Sequence, residues 1–211
     1  MAGQPTVVIL IHGYNVSDLR QSVGKFRPYF EDRHCLVETY AYGYWPFPWQ
    51  ITKRNPKFAA EITRRACYWK DKGYRVIVAC HSNGAVITWL ACTIRRAPID
   101  RILAVHPALH KNKPVCKYAE KVVVVHNKGD KAVVAGGVLG WISKRLVPKS
   151  WTLRPWGQMG QDGYTGTHPN HTNIDSGDAA QWDMPCHGHG QEFDEGFESY
   201  WLPLLANEIL A

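Results

Sequence analysis

The chain reads as an α/β protein, with a mostly parallel central sheet covered by helices on both faces. Three observations predict this. Four runs are almost entirely apolar and rich in β-branched residues: Thr6–Ile11, Val76–Ala79, Arg101–His106 and Lys121–His126. Such runs suit strands buried on both faces, as in parallel sheets. Stretches with helical signals separate them, and strands alternating with helices imply a parallel sheet with helices packed on each side. At 211 residues, with 45% hydrophobic and 20% charged residues, the chain has the size and balance of a single domain with a full core.

The elements follow in order. Thr6–Ile11 forms the first strand and runs into His12-Gly13-Tyr14-Asn15. Ser17-Asp18 offers a helix start, and that helix is expected to end near Pro28. A strand follows around Cys35–Tyr42. Tyr42–Trp49 holds two prolines among aromatics and reads as a loop, because proline removes a ladder donor from a strand interior. Asn55-Pro56 resembles an N-cap with proline at the first helical position, so a helix is expected up to Lys72, closed by Gly73. Its apolar positions Phe58, Ile62, Ala66 and Trp69 have helical spacing.

The stretch Arg75–Leu90, RVIVACHSNGAVITWL, organises the rest. An apolar strand passes through Cys80-His81-Ser82-Asn83-Gly84 into an apolar helix that should end before Pro98. This is the Gly-x-Ser-x-Gly pattern of a strand–turn–helix with a serine at its tip, Cys80 replacing the first glycine. The residues flanking such a turn must be small, because the strand and helix backbones pass close together. The helix N-terminus behind Ser82 brings N–H groups and a partial positive charge toward any developing oxyanion.

On that motif the sequence resembles the α/β-hydrolases. The resemblance implies a compact α/β-hydrolase fold over residues 1–211 and a serine nucleophile at Ser82. It also implies an oxyanion hole from the backbone N–H groups of Tyr14, after His12-Gly13, and of Asn83. Lys121–His126 is followed by Asn127-Lys128-Gly129-Asp130, which resembles the family's acid segment and implies that Asp130 orients the base; an Asp capping a helix that starts at Lys131 is the plainer reading. Cys186-His187-Gly188-His189 lies between a short last strand, His171–Asp175, and a C-terminal helix. The order Ser82, Asp130, His189 matches the family. His189 is preferred as base because it sits between Gly188 and Gly190 and four positions before Phe193; His187 is the alternative.

The implied activity is hydrolysis of an acyl bond, a carboxylic ester first, through an acyl-enzyme and without a cofactor. The implied partner is a small-molecule or lipid-like acyl substrate. Segments near 42–54 and 134–166 are expected to cover the site, with a helix at Val138–Leu146. Trp156-Gly157-x-Met159-Gly160 is similar to a stretch of compact hydrolases encoded by bacteriophages, which implies such a source.

Two other readings use different residues. His168-x-x-His171, Cys186, His187 and His189, with Asp175 and Asp183 nearby, offer metal-ligand types at close spacing and suggest a metal-dependent or zinc-stabilised domain. A binding module on a hydrolase fold is the other, though the Ser, Asp and His set argues against it. The net charge of +7 is spread along the chain, which argues against a nucleic-acid surface. None of the six cysteines is in Cys-x-x-Cys spacing, no apolar run is long enough for a membrane span, and Met1 leads almost directly into the first strand. Free thiols and a cytoplasmic location, that of the host for a phage protein, are the expectation.

Overall fold

The computed structural model describes residues 4–14, 16, 18, 20–43, 48–132 and 156–211. Six strands form one sheet: β1 (Thr6–Ile11), β2 (Leu36–Tyr40), β3 (Arg75–His81), β4 (Arg101–Val105), β5 (Lys121–His126) and β6 (His171–Asp175). Their order is β2-β1-β3-β4-β5-β6, and every neighbouring pair is parallel. The apolar runs are the central strands, with β1, β3, β4 and β5 buried over nearly their whole length. The expected α/β architecture is therefore the observed one.

Alternate side chains of each strand feed two cores, as the period of two requires. Val7, Ile9 and Ile11 of β1, with Val76 and Val78 of β3, pack beneath α2 (Pro48–Asp71) and α3 (Asn83–Arg95). Val8, Leu10, Ile77 and Ala79 pack beneath a 3-10 turn (Ser22–Phe26) and α5 (Glu198–Leu210), where Trp201 is fully buried. Two short helices, α1 (Arg27–Glu31) and α4 (Met159–Asp162), are the remaining α-helices among the described residues. Strand order reverses between β1 and β3, so the chain diverges to either side there and leaves a crevice at their C-terminal ends, where open α/β sheets bind ligands.

Three sequence expectations shift. The first helix does not run from Ser17-Asp18 to Pro28; Asp18 accepts the N–H of Arg20 at 2.8 Å in a local turn, and Pro28 lies in the first turn of α1. Proline suits a helix start, where its missing N–H is not needed. The second helix begins at Pro48 rather than Asn55, so the end of the expected loop Tyr42–Trp49 is helical, and Pro56 lies inside α2. Asn55 is buried and bonds Asn83, so it braces the strand–turn–helix elbow at Ser82 rather than capping a helix. Tyr42 is also buried, stacked on Phe58 with ring centroids 5.1 Å apart, and its hydroxyl donates to the His12 carbonyl at 3.0 Å. The expected helix at Val138–Leu146, and the expected covering segment as far as residue 155, lie outside the described residues.

None of the six cysteines forms a disulfide. Among the described residues no helix is long and apolar enough to cross a membrane.

Candidate active site

Ser82 sits where β3 ends and α3 begins, with φ 51° and ψ −115°. A non-glycine residue with such a backbone is strained, and the strain persists only where its surroundings hold it. They do: the Ser82 N–H donates to the Val105 carbonyl at 3.1 Å, and its own carbonyl accepts from Ala85 and Ala108. The helix enters very close to β1. A Cβ on Gly84 would lie 2.6 Å from the Ile11 carbonyl oxygen and 2.8 Å from that of His12. Only glycine fits there, which explains the last glycine of the motif.

Asn83 is the first residue of α3 and is buried; its side-chain amide exchanges hydrogen bonds with Asn55 at 3.0 and 3.2 Å. Tyr14 follows Gly13 on the loop after β1. Tyr14, Ser82, Asn83 and His189 line one cavity of about 250 Å³, with Ala108, Ala132, Trp156 and Gly157 completing its wall. The lining is mainly apolar apart from these four residues. Trp156 and Gly157 thus border the cavity from the segment 134–166.

Asp130 lies on the turn after β5 and is fully buried. Its Oδ2 is 2.8 Å from His189 Nδ1. The loop carrying His189 is clamped to the acid turn. Asn127 donates to the Gly188 carbonyl at 3.1 Å, and a Cβ on Gly129 would fall 2.1 Å from the His187 carbonyl oxygen. His189 is partly exposed and borders the Ser82 cavity, whereas His187 is exposed and borders a separate depression with Lys128 and Asp178. The geometry thus brings Ser82, Asp130 and His189 together and leaves His187 apart.

The same Asp130 Oδ2 is also 2.9 Å from Nδ1 of His106, a residue not singled out from the sequence. His106 follows β4, has φ 45° and is fully buried. Its Nε2 lies 3.0 and 3.1 Å from the two carboxylate oxygens of Glu192, equally buried, on the 3-10 turn Gln191–Phe193. Ser176 donates to Glu192 Oε1 at 2.5 Å. Burial opposes charge on His106, but the Glu192 and Asp130 carboxylates outweigh it and raise its pKa to about 10. Burial likewise opposes ionisation of Asp130, and the hydrogen bonds from His106 and His189 reverse that, holding it well below the usual carboxylate range. Glu192 is shifted downward too, burial being overcome by His106. A polar residue directly after a buried strand was the available signal for His106. Glu192 carried none, since only the folded chain brings it there.

One ligand-type atom from each of His106, Asp130 and His189 lies within 4.8 Å of the others, the one such group of three among the described residues. Both imidazoles are already at hydrogen-bond distance from the one carboxylate oxygen, so the arrangement fits imidazole–carboxylate bonding. The His168, His171, Cys186 and His187 set does not assemble. His168 and His171 bond Asn170, His171 Nε2 accepts the Val115 N–H, and Cys186 is buried.

No protein-family model matches the chain, and no curated protein matches it. Solved structures do. A putative α/β-superfamily hydrolase from Xanthomonas campestris superposes with a TM-score of 0.57 at 14% identity, over 97% of this chain and 98% of that one. Est1E from Butyrivibrio proteoclasticus, solved with ferulic acid bound, gives 0.56 at 13% identity over 98% and 90%. A CIB-like hydrolase from Thermoplasma acidophilum gives 0.51 at 16% identity over 98% and 89%. None of the three sources is a bacteriophage, so they lend the expected origin no support.

Proposed function

We propose that this chain, which has an α/β-hydrolase fold, is a serine hydrolase that cleaves a carboxylic ester through an acyl-enzyme. One observation carries the reading: the strained Ser82 shares its cavity with a histidine that a buried carboxylate holds by its other ring nitrogen.

The geometry supports each role in this reading. Ser82 Oγ attacks the acyl carbonyl. With Nδ1 of His189 on Asp130, Nε2 is the nitrogen left to take the serine proton and to return it to the leaving alcohol. Asp130 fixes the tautomer and stabilises the imidazolium that forms. The backbone N–H groups of Asn83, at the N-terminus of α3, and of Tyr14 act on the oxyanion; one such donor is worth about 3–4 kcal/mol in a known case. Water then attacks the acyl-enzyme with the roles of His189 reversed. An ester is favoured over an amide because its leaving group needs the least help. The mainly apolar lining of the cavity suits an acyl chain, and Est1E, whose structure holds ferulic acid, is similar in fold.

The test is covalent. A fluorophosphonate should label the protein once, at Ser82 by peptide mapping, and block hydrolysis of 4-nitrophenyl acetate. Ser82→Ala should lose both labelling and turnover while melting like the parent. Full turnover in the alanine variant sinks the reading.

A further inference from the structure

The buried pair His106 and Glu192 lies behind the proposed acid and is used by none of the steps above. Both ring nitrogens of His106 face carboxylate oxygens: Nδ1 faces Asp130, and Nε2 sits almost evenly between the two oxygens of Glu192. A neutral imidazole has one N–H and one lone pair, so one nitrogen would then present its lone pair to a carboxylate. A protonated Glu192 would hold its proton on one oxygen and would not favour this bifurcated placement. The Ser176 hydroxyl already donates to Glu192 Oε1, and no solvent reaches any of the three groups. Two buried carboxylates on one imidazole stay ionised together when that imidazole is a cation; otherwise one of them takes up a proton.

We propose that His106 is a positioning residue of this site, an imidazolium that ties Asp130 to Glu192 and thereby sets the pH range in which His189 works as a base. This rests on the serine-hydrolase reading. At rest, Asp130 and Glu192 carry two negative charges and His106 one positive charge, leaving one net negative charge on the cluster. When His189 takes the serine proton, the cluster becomes neutral. Without the His106 charge, Asp130 would hold a proton on His189 more strongly, and the base would be blocked up to higher pH.

The neighbours leave this balance alone. His81, from β3, packs on His189 with ring centroids 4.6 Å apart and bonds Ser22; burial keeps it well below the ordinary histidine value. Burial also lowers His12, after β1, and His126, at the end of β5 beside Asp175. Cys186, against Glu192, is pushed up by burial and stays a thiol. Asn127, whose amide lies 3.5 Å from His106 Nε2, and Ser176 carry no charge. Among the described residues, Asp130 lies at hydrogen-bond distance from His189, His106 packs near its ring, and Glu192 reaches the site through His106.

His106→Asn decides the matter, because an asparagine amide reproduces the Nδ1 donor toward Asp130 and never carries the charge. Fluorophosphonate labelling comes first and tests the underlying reading by itself: an unlabelled wild type overturns that reading, and the inference falls with it. With labelling intact, the acid limb of kcat/KM for 4-nitrophenyl acetate should move up by about one pH unit in His106→Asn. At the wild-type midpoint this is roughly a tenfold loss, with only a few-fold loss on the alkaline plateau. A uniform loss with an unmoved midpoint means that His106 is a mere hydrogen-bond donor and overturns the inference. If the variant does not fold, nitrogen NMR of the wild type replaces it. Both ring N–H groups of His106 should persist to pH 8 or above, and loss of one near neutrality overturns the proposal.

Discussion

The two sides of the cavity are made in different ways. The Ser82 side is contiguous, with one strand, one turn and one helix in Arg75–Arg95. It stores its cost in the backbone, at one residue with positive φ and one glycine against β1. The Asp130–His189 side is assembled from the ends of β4, β5 and β6 and from the loop before α5. Its cost is mainly buried charge, balanced by pairing, beside a positive φ at His106. The contiguous side should therefore fail when an atom is added, and the assembled side also when a charge is removed.

The largest expected effect breaks the assembled side. Asp130→Asn keeps the shape and leaves His106 paired with Glu192, so the fold should survive. Turnover should fall by about ten-thousand-fold, as in the trypsin-type precedent. Steady-state kinetics beside a melting curve checks this; a crippling Asp175→Asn with a healthy Asp130→Asn would move the acid to β6. His189→Ala should be comparably severe.

Next comes the contiguous side. Gly84→Ala places a methyl on two carbonyl oxygens of the backbone, which cannot rotate away. A loss of about 1–3 kcal/mol in urea unfolding is expected, together with slower fluorophosphonate labelling as the loop bearing Tyr14 is displaced. Unchanged stability would mean that β1 and α3 separate easily, and the contrast between the two sides would weaken.

A pH series sharpens the contrast without mutation. His106 is raised to about 10 when folded, above the ordinary histidine value near 6.5. Its contribution to stability is therefore complete below about pH 6.5 and is lost as pH rises toward 10. Asp130 is depressed, so its contribution is complete above the unfolded carboxylate value and is lost only in strong acid. Urea midpoints should fall from pH 6.5 to 10 in the wild type and fall less in His106→Asn. Equal slopes would contradict the charged pairing. The smallest effect belongs to His187→Ala, which should keep turnover within a few-fold, since that side chain faces away from Ser82.

The same division governs what the sequence could tell. The sheet was legible because strands buried on both faces leave continuous apolar runs, and the elbow because its residues are neighbours in the chain. Pro56 misled because a proline reads locally as a helix start, while α2 carries it internally and begins at Pro48. His106 and Glu192 are eighty-six positions apart, and no local pattern shows that they neutralise one another. Only the parallel order of β4, β5 and β6 brings the end of β4 near the loop that follows β6.

The contact between Gly129 and the carbonyl of His187 bears on how such a site can be inherited or rebuilt. Any side chain at position 129 would drive the two loops apart and carry His189 off Asp130. The turn after β5 and the loop before α5 are thus a single part for the purposes of recombination. A chimera that imports one from another protein of this fold must import its mate, whereas the segment around Ser82 can be exchanged as one uninterrupted cassette, provided β1 still meets a glycine.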